Sequence, residues 1–127
     1  MSISINHAAV FVRDLDAVRV FYETYFQAVS NEQYHNPRTG LRTYFLAFDG
    51  GCRLELMTRP DVHAEPAHGQ TGWAHVAFSL GSVEGVDRMV GRLRDGGYTV
   101  SEPRWTGDGY YEAVALDPEG NQVEITV

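Results

Sequence analysis

Two histidines and two glutamates are spaced along the chain in a way that could bind a divalent metal ion. Glu55 follows His7 after 48 residues, and Glu124 follows His75 after 49. All four lie in segments with the apolar pattern of β-strands, namely INHAAVFV, CRLELMT, WAHVAFSL and NQVEITV. Because side chains alternate between the two faces of a strand, each of these residues can be directed to one face. The repeated His-to-Glu spacing therefore predicts a metal site.

The surroundings of the two glutamates support this prediction. Glu55 stands in LEL and Glu124 in VEI, so their aliphatic neighbours point to the opposite face of each strand. A carboxylate in such a half-buried position is costly to desolvate unless it is paired or bound to a cation. Two imidazoles and two carboxylates form a borderline nitrogen and oxygen ligand set. The predicted cofactor is one divalent ion per site: nickel, zinc, manganese, cobalt or iron(II).

The elements that would position these residues occur twice along the chain. A strand predicted over residues 3–12 precedes a helix capped by Asp14 or Asp16, and a strand in WAHVAFSL precedes a helix that begins after Ser82. Further β-patterned segments follow each helix. This repeat predicts an α+β fold of two tandem βαβββ modules. The first module covers 1–58, a linker 59–72 and the second module 73–127.

Composition narrows the possible partners and location. The 127 residues are 43% hydrophobic and 21% charged, which is typical of one globular domain, and the formal charge is −7. This charge argues against nucleic acid or an anionic membrane surface as a partner. Cys52 is the only cysteine, and no apolar run is long enough for a membrane span. A cytoplasmic location is the expectation.

Four motifs together resemble the vicinal oxygen chelate superfamily, which includes glyoxalase I, bleomycin-binding proteins and extradiol dioxygenases. They are His7 in the first strand, LEL around Glu55, GWAHVAF around His75, and DPEGNQVEI, which contains Glu124. The resemblance spans essentially the whole chain, and it implies that the two βαβββ modules form a curved mixed sheet around the metal site. Two histidines and two glutamates, one pair per half, look most like glyoxalase I.

The resemblance implies a chemistry and a role for two of the ligands. A glyoxalase-like lyase or isomerase moves a proton within a small substrate that carries two adjacent oxygens, through a metal-stabilised enediolate. By resemblance, Glu124 is the base that carries this proton, and Glu55 is its possible counterpart. Members of the family are commonly homodimers, and the metal site can be formed within one chain or between two.

The substrate is less well defined by the resemblance. Phe11, Arg59 and Gln122 stand where glutathione-dependent relatives usually have an arginine, an asparagine and a basic residue, so a glutathione co-substrate is not predicted. Strand alternation and matching family positions predict a set of residues that line the substrate site: Phe11, Thr43, Phe45, Arg59, Tyr110, Glu112 and Val114.

Two other functions stay open at the level of sequence. The protein could sequester a small molecule, as bleomycin-binding relatives do, or, less favoured, act as a dioxygenase. A fourth protein ligand would crowd the positions that oxygen and substrate need in a dioxygenase. The intact set of four ligands favours the enzyme over the binding protein.

Overall fold

The chain divides into two compact units, Met1–Ala64 and Glu65–Val127. The computed structural model describes residues 1–67 and 69–127, so His68, in the predicted linker, lies outside the described residues. In its described part, each unit contains one helix and one mixed sheet. The predicted α+β class is confirmed.

The helix of the first unit, α1 (Leu15–Phe26), forms as its apolar spacing predicts. Asp14 caps its N-terminus, because the carboxylate accepts a hydrogen bond from the backbone N–H of Ala17 at 3.1 Å. The residue after the helix, Gln27, adopts a left-handed conformation and ends it. One face of α1 is buried against the sheet: Leu15, Val18, Phe21, Tyr22 and Phe26.

The sheet of the first unit has five strands. They are β1 (His7–Phe11), β2 (Val29–Ser30), β3 (Tyr34–His35), β4 (Arg42–Ala47) and β5 (Arg53–Thr58). Their order is β1-β5-β4-β2, and β3 also pairs with β4. β1 runs parallel to β5, whereas β4 and β5 form an antiparallel hairpin. The two-residue strands β2 and β3 were not foreseen, since they are too short to show an alternating pattern and exist through their pairing with β4.

The first strand begins later than the sequence predicts. Ile3 and Ile5 fit the apolar alternation, but β1 starts at His7 and both isoleucines are exposed. Its partner β5 begins at Arg53, opposite His7, and the residues before it form the turn at Asp49, Gly50 and Gly51. Residues upstream of His7 are not paired with β5, because the segment before β5 is a turn and not a strand.

The second unit has a similar plan. Its strands are β6 (Val76–Ser79), β7 (Arg104–Trp105), β8 (Tyr111–Leu116) and β9 (Gln122–Thr126), in the order β6-β9-β8-β7. Helix α2 (Val83–Asp95) follows β6, and Ser82 caps it as predicted by accepting from the N–H of Gly85 at 3.0 Å. Within the described residues, neither α1 nor α2 is long and apolar enough to cross a membrane.

The two units share one feature of register that matters for the site. In the first unit Ala9, two residues after His7, lies opposite Glu55 in the parallel pair of β1 and β5. In the second unit Ala77, two residues after His75, lies opposite Glu124 in the parallel pair of β6 and β9. The similar sequence spacing therefore corresponds to the same strand register in each unit.

Candidate functional site

The first unit brings His7 and Glu55 together. The Nε2 atom of His7 lies 3.5 Å from Oε1 of Glu55, and the Glu55 side chain is only 15% exposed. Residues on β5 alternate as predicted: Leu54, Leu56 and Thr58 are buried on one face, and Glu55 lies on the other. We call His7 and Glu55 the first pair.

The second unit repeats this arrangement with His75 and Glu124, the second pair. Here Nε2 of the histidine lies 3.2 Å from Oε2 of the glutamate, whose side chain is 17% exposed. The neighbours of Glu124 on β9, Val123 and Ile125, are fully buried. Both pairs therefore place a partly exposed imidazole beside a carboxylate that is largely withdrawn from water.

The donor atoms of each pair suit a divalent cation. A largely buried carboxylate is stabilised when a proton or a metal ion lies between it and a neighbouring ring nitrogen. Imidazole nitrogen and carboxylate oxygen are the ligands expected for zinc, nickel, cobalt, manganese or iron(II). Among residues 1–67 and 69–127, however, no group of three or more His, Cys, Asp or Glu side chains that could hold a metal is found. Each unit thus provides one two-residue set of donors.

The imidazole of His7 has further contacts in the first unit. Its Nδ1 atom lies 2.7 Å from the side-chain oxygen of Asn6, which also accepts a hydrogen bond from Nη2 of Arg53 at 2.8 Å. The ring of Phe45 meets the imidazole edge to face, with centroids 5.0 Å apart. The Arg53 guanidinium lies over the Phe45 ring, 4.6 Å from its centroid. Asn6 and Phe45 therefore contact the His7 imidazole, and Arg53 contacts both of them.

Asn6 and Arg53 were not among the site residues predicted from the sequence. Adjacent residues in a strand point to opposite faces, so alternation argued against a contact between Asn6 and His7. Asn6 precedes the first residue of β1 and is free of that constraint. Arg53 could have been found, because it shares a strand face with Glu55 and lies opposite His7 in register.

Glu112 lies beside Glu124 in the second unit. On the paired strands β8 and β9, Glu112 is opposite Thr126, and Val114 is opposite Glu124. The hydrogen bond shared with Glu124 raises the pKa of Glu112, with smaller contributions from desolvation and from the Glu124 charge. Two of the residues predicted to line a substrate site, Glu112 and Val114, therefore neighbour the predicted base.

The first unit also groups several residues predicted to contact substrate. Phe45 lies opposite Glu55 in the β4–β5 pair, and Thr43, on the same face, is buried. The Arg59 guanidinium lies 4.8 Å from the centroid of the Phe11 ring. It also forms two contacts with the Asp61 carboxylate, at 3.1 and 3.3 Å. Arg59 is thus already held by an aromatic ring and a carboxylate.

Tyr110 lies in the loop before β8 rather than within the strand. Its side chain is exposed, and its backbone N–H and C=O both bond to Thr106. The Thr106 hydroxyl also contacts the Asp108 carboxylate. This loop is therefore a hydrogen-bonded turn with an exposed tyrosine.

Comparisons with known proteins identify the family and the fold. Residues 4–125 match the family described as the Glyoxalase/Bleomycin resistance protein/Dioxygenase superfamily. The uncharacterized protein PA2024 of Pseudomonas aeruginosa is 31% identical over 130 residues, which cover 99% of this chain and 89% of that protein. A glyoxylase/bleomycin resistance protein/dioxygenase domain from Frankia shares the fold, with a TM-score of 0.87, 17% identity and coverage of 100% and 98% of the two chains. A lactoylglutathione lyase from Agrobacterium tumefaciens is 26% identical, with a TM-score of 0.70 and coverage of 97% and 92%.

Proposed function

The chain belongs to the Glyoxalase/Bleomycin resistance protein/Dioxygenase superfamily, and we propose that it is a metal-dependent lyase or isomerase of the glyoxalase type. The proposed reaction moves a proton between neighbouring carbons of a small substrate that carries two adjacent oxygens. It proceeds through an enediolate and involves no net oxidation.

One observation carries this proposal: the His–Glu pair occurs twice with the same strand register. A single histidine beside a glutamate is common in proteins, where it serves as an ion pair. Two pairs of matching chemistry and exposure, in two units of similar plan, are better explained by a shared requirement for a cation. The proposed ligands are His7, Glu55, His75 and Glu124.

The chain's own residues supply the rest of the mechanism. When bound, a divalent ion would polarise the substrate carbonyl and reduce the cost of the developing negative charge by several kcal/mol. Glu124 is the proposed base, which removes the proton from carbon and returns it to the neighbouring carbon. Glu55 is its counterpart in the other unit. General base catalysis of this kind contributes about 10² to 10⁴ in rate.

The proposed substrate side is formed by residues near each pair. Phe45 and Thr43 share the face of Glu55, and Glu112 and Val114 adjoin Glu124. Phe11 and Arg59 contact each other and Tyr110 is exposed, so these three are proposed to contact the more distant part of the substrate. The Asp61 carboxylate beside Arg59 offsets the charge of the guanidinium, so the attraction of Arg59 for an anionic substrate is weakened.

The predictions of a homodimer and of a cytoplasmic location remain part of this proposal. One metal ion per chain is the expected stoichiometry whether the two pairs belong to one chain or to two. The chain mass is 14.2 kDa, so a dimer would have twice that mass in light scattering.

Metal content and proton exchange test the proposal together. Protein purified without chelator should contain about one divalent ion per chain by elemental analysis. A panel of glyoxal-type and hydroxy-ketone substrates, each with and without glutathione, would then be incubated in deuterated water with the nickel, zinc, manganese, cobalt and iron(II) forms. We expect deuterium at the reacting carbon for at least one substrate.

A protein that takes up no metal would contradict the proposal. Metal binding with tight ligand binding but no exchange across the panel would instead indicate a sequestration protein.

A further inference from the structure

The two His–Glu pairs match in register but differ in what surrounds the histidine. In the first pair, Nδ1 of His7 faces the side-chain oxygen of Asn6 at 2.7 Å. In the second unit the residue before His75 is Ala74, whose methyl group accepts no hydrogen bond. The position that corresponds to Arg53 by its spacing from the glutamate is Gln122. The duplicated chain therefore carries an Asn–Arg set in one unit only.

Arg53 determines which atom of the Asn6 amide faces His7. A guanidinium has hydrogen-bond donors and no acceptors, so the Asn6 atom 2.8 Å from Nη2 of Arg53 must be the carbonyl oxygen. The same oxygen lies against Nδ1 of His7, and an oxygen acceptor requires a proton on that nitrogen. In the neutral imidazole the other nitrogen, Nε2, is then unprotonated. Its lone pair faces the Glu55 carboxylate at 3.5 Å, so both are available to a cation, and a proton lies between them only when the imidazole is charged.

We propose that Asn6, held by Arg53, fixes His7 as the Nδ1–H tautomer and so presents the Nε2 lone pair toward Glu55 before any metal binds. Asn6 is a positioning residue in this proposal, because it acts through His7. Free histidine favours the opposite tautomer, with the proton on Nε2, which must be changed before that nitrogen can bind a metal. The first pair would therefore be preorganised, whereas His75 would lack this support. This inference rests on the proposed function only in its consequence for metal affinity.

Packing holds the same arrangement in place. The Arg53 guanidinium lies over the Phe45 ring, and the Phe45 ring meets the His7 imidazole edge to face. A backbone hydrogen bond from the Arg53 N–H to the Asn6 C=O, at 3.3 Å, joins the two residues that support His7. Partners of this kind, which bind the ring nitrogen of a metal-ligating histidine that faces away from the metal, typically change metal affinity by 10 to 100-fold.

The tautomer can be measured in the metal-free protein. Long-range proton–nitrogen NMR spectra of the ¹⁵N-labelled full chain, recorded with chelator at about pH 8.5, well above the ordinary histidine pKa of about 6.5, report which ring nitrogen carries the proton. We expect His7 to be the Nδ1–H form. Asn6→Ala should move His7 toward the Nε2–H form and leave the His75 signals unchanged. Asn6→Asp keeps an acceptor oxygen and should retain the Nδ1–H form. His7 in the Nε2–H form in the unmodified protein would overturn the proposal, as would an Asn6→Ala variant with an unchanged His7 tautomer.

Zinc affinity, measured by calorimetry on the same proteins, provides the second test. Asn6→Ala should weaken zinc binding by about 10 to 100-fold, and Asn6→Asp should restore it. Circular dichroism establishes that each variant is folded, which is expected because Asn6 is exposed. A fixed His7 tautomer in a protein that binds none of the five metals would contradict the proposed function and support the positioning role. Zinc affinity that is unchanged in Asn6→Ala would overturn the positioning role and leave the proposed function in place.

Discussion

Glu112 and Glu124 share a hydrogen bond across the paired strands β8 and β9. Two carboxyl groups can share such a bond only when one of them holds a proton. The bond therefore raises the pKa of Glu112, and in the metal-free protein the bond is lost when Glu112 ionises.

The first prediction concerns the stability of the metal-free protein. A raised carboxyl pKa contributes stability that is complete below the unfolded-state pKa, about 4.3, and is lost as the pH rises through the folded-state pKa. Glu112→Gln removes this loss, because glutamine donates a hydrogen bond to Glu124 without ionising. Its melting temperature with chelator present should exceed that of the unmodified protein at neutral pH, and the difference should disappear toward pH 4. Glu32→Gln, at an exposed glutamate, is the matched control and should show no such trend.

The second prediction concerns the base. Glu124→Gln should lower deuterium exchange at the substrate carbon by about 10² to 10⁴-fold at saturating metal, since the amide cannot accept the proton. Glu55→Gln, at the corresponding position of the first pair, should reduce exchange less. Both variants keep an oxygen that can bind metal. Circular dichroism should show that each variant has an intact fold. A larger loss for Glu55→Gln than for Glu124→Gln would assign the base to the first unit.

Much of the local structure around these residues follows from sequence. Three features depend on neighbouring residues alone: the apolar spacing of both helices, the caps at Asp14 and Ser82, and the alternation that places Glu55 on the face opposite the buried Leu54 and Leu56. Local rules of propensity and periodicity therefore predict them.

Other features depend on residues that are distant in sequence. β1 begins at His7 because β5 begins at Arg53, and β2 exists because it pairs with β4. The contact of Asn6 with both His7 and Arg53 joins residues 47 positions apart and opposes simple strand alternation. No pattern within one segment contains such information. Glu112 was predicted to line the substrate site, but its position beside Glu124 follows from the register of β8 and β9.

The third prediction concerns how the first unit holds its helix against its sheet. The buried Tyr44 of β4 donates its hydroxyl to the Asp16 carboxylate of α1 at 2.7 Å and accepts from Gln33 at 3.2 Å. Tyr44→Phe should lower the free energy of unfolding by about 1 to 3 kcal/mol, since the hydrogen bond has a charged partner. Urea denaturation at neutral pH measures this change.

The pH dependence of the destabilisation by Tyr44→Phe provides the control for this prediction. The hydrogen bond to Asp16 and burial raise the pKa of Tyr44. The stability that the protonated Tyr44 hydroxyl contributes is therefore complete below the unfolded-state pKa of about 10, and it is lost as the pH rises through the folded-state pKa. The difference between Tyr44→Phe and the unmodified protein should therefore shrink at alkaline pH. Tyr111→Phe removes a similar but more exposed bond to Asp87 and should have a smaller effect. Equal losses would contradict the role assigned to burial.

The fourth prediction concerns the turn that positions Glu124. Asp117, which is 4% exposed, accepts hydrogen bonds from the N–H groups of Glu119 and Asn121, both at 2.9 Å, and from the Asn121 side chain at 3.2 Å. Its backbone N–H also donates to the C=O of Asn121 at 2.9 Å, and Gly120 supplies the positive φ of 85° that the turn requires. These bonds connect β8 to β9 and so fix the register that places Val114 opposite Glu124.

Asp117→Ala should lower the free energy of unfolding by about 1 to 3 kcal/mol, because it leaves donors in the turn without their acceptor. Asp117→Asn keeps one acceptor oxygen and should lose less. Because Asp117 lies in the turn between β8 and β9 of the second unit, the His75 NMR signals should change in the metal-free Asp117→Ala protein, while those of His7 should stay in place. Changes of similar size at both histidines would mean that the turn stabilises the whole chain rather than the position of Glu124.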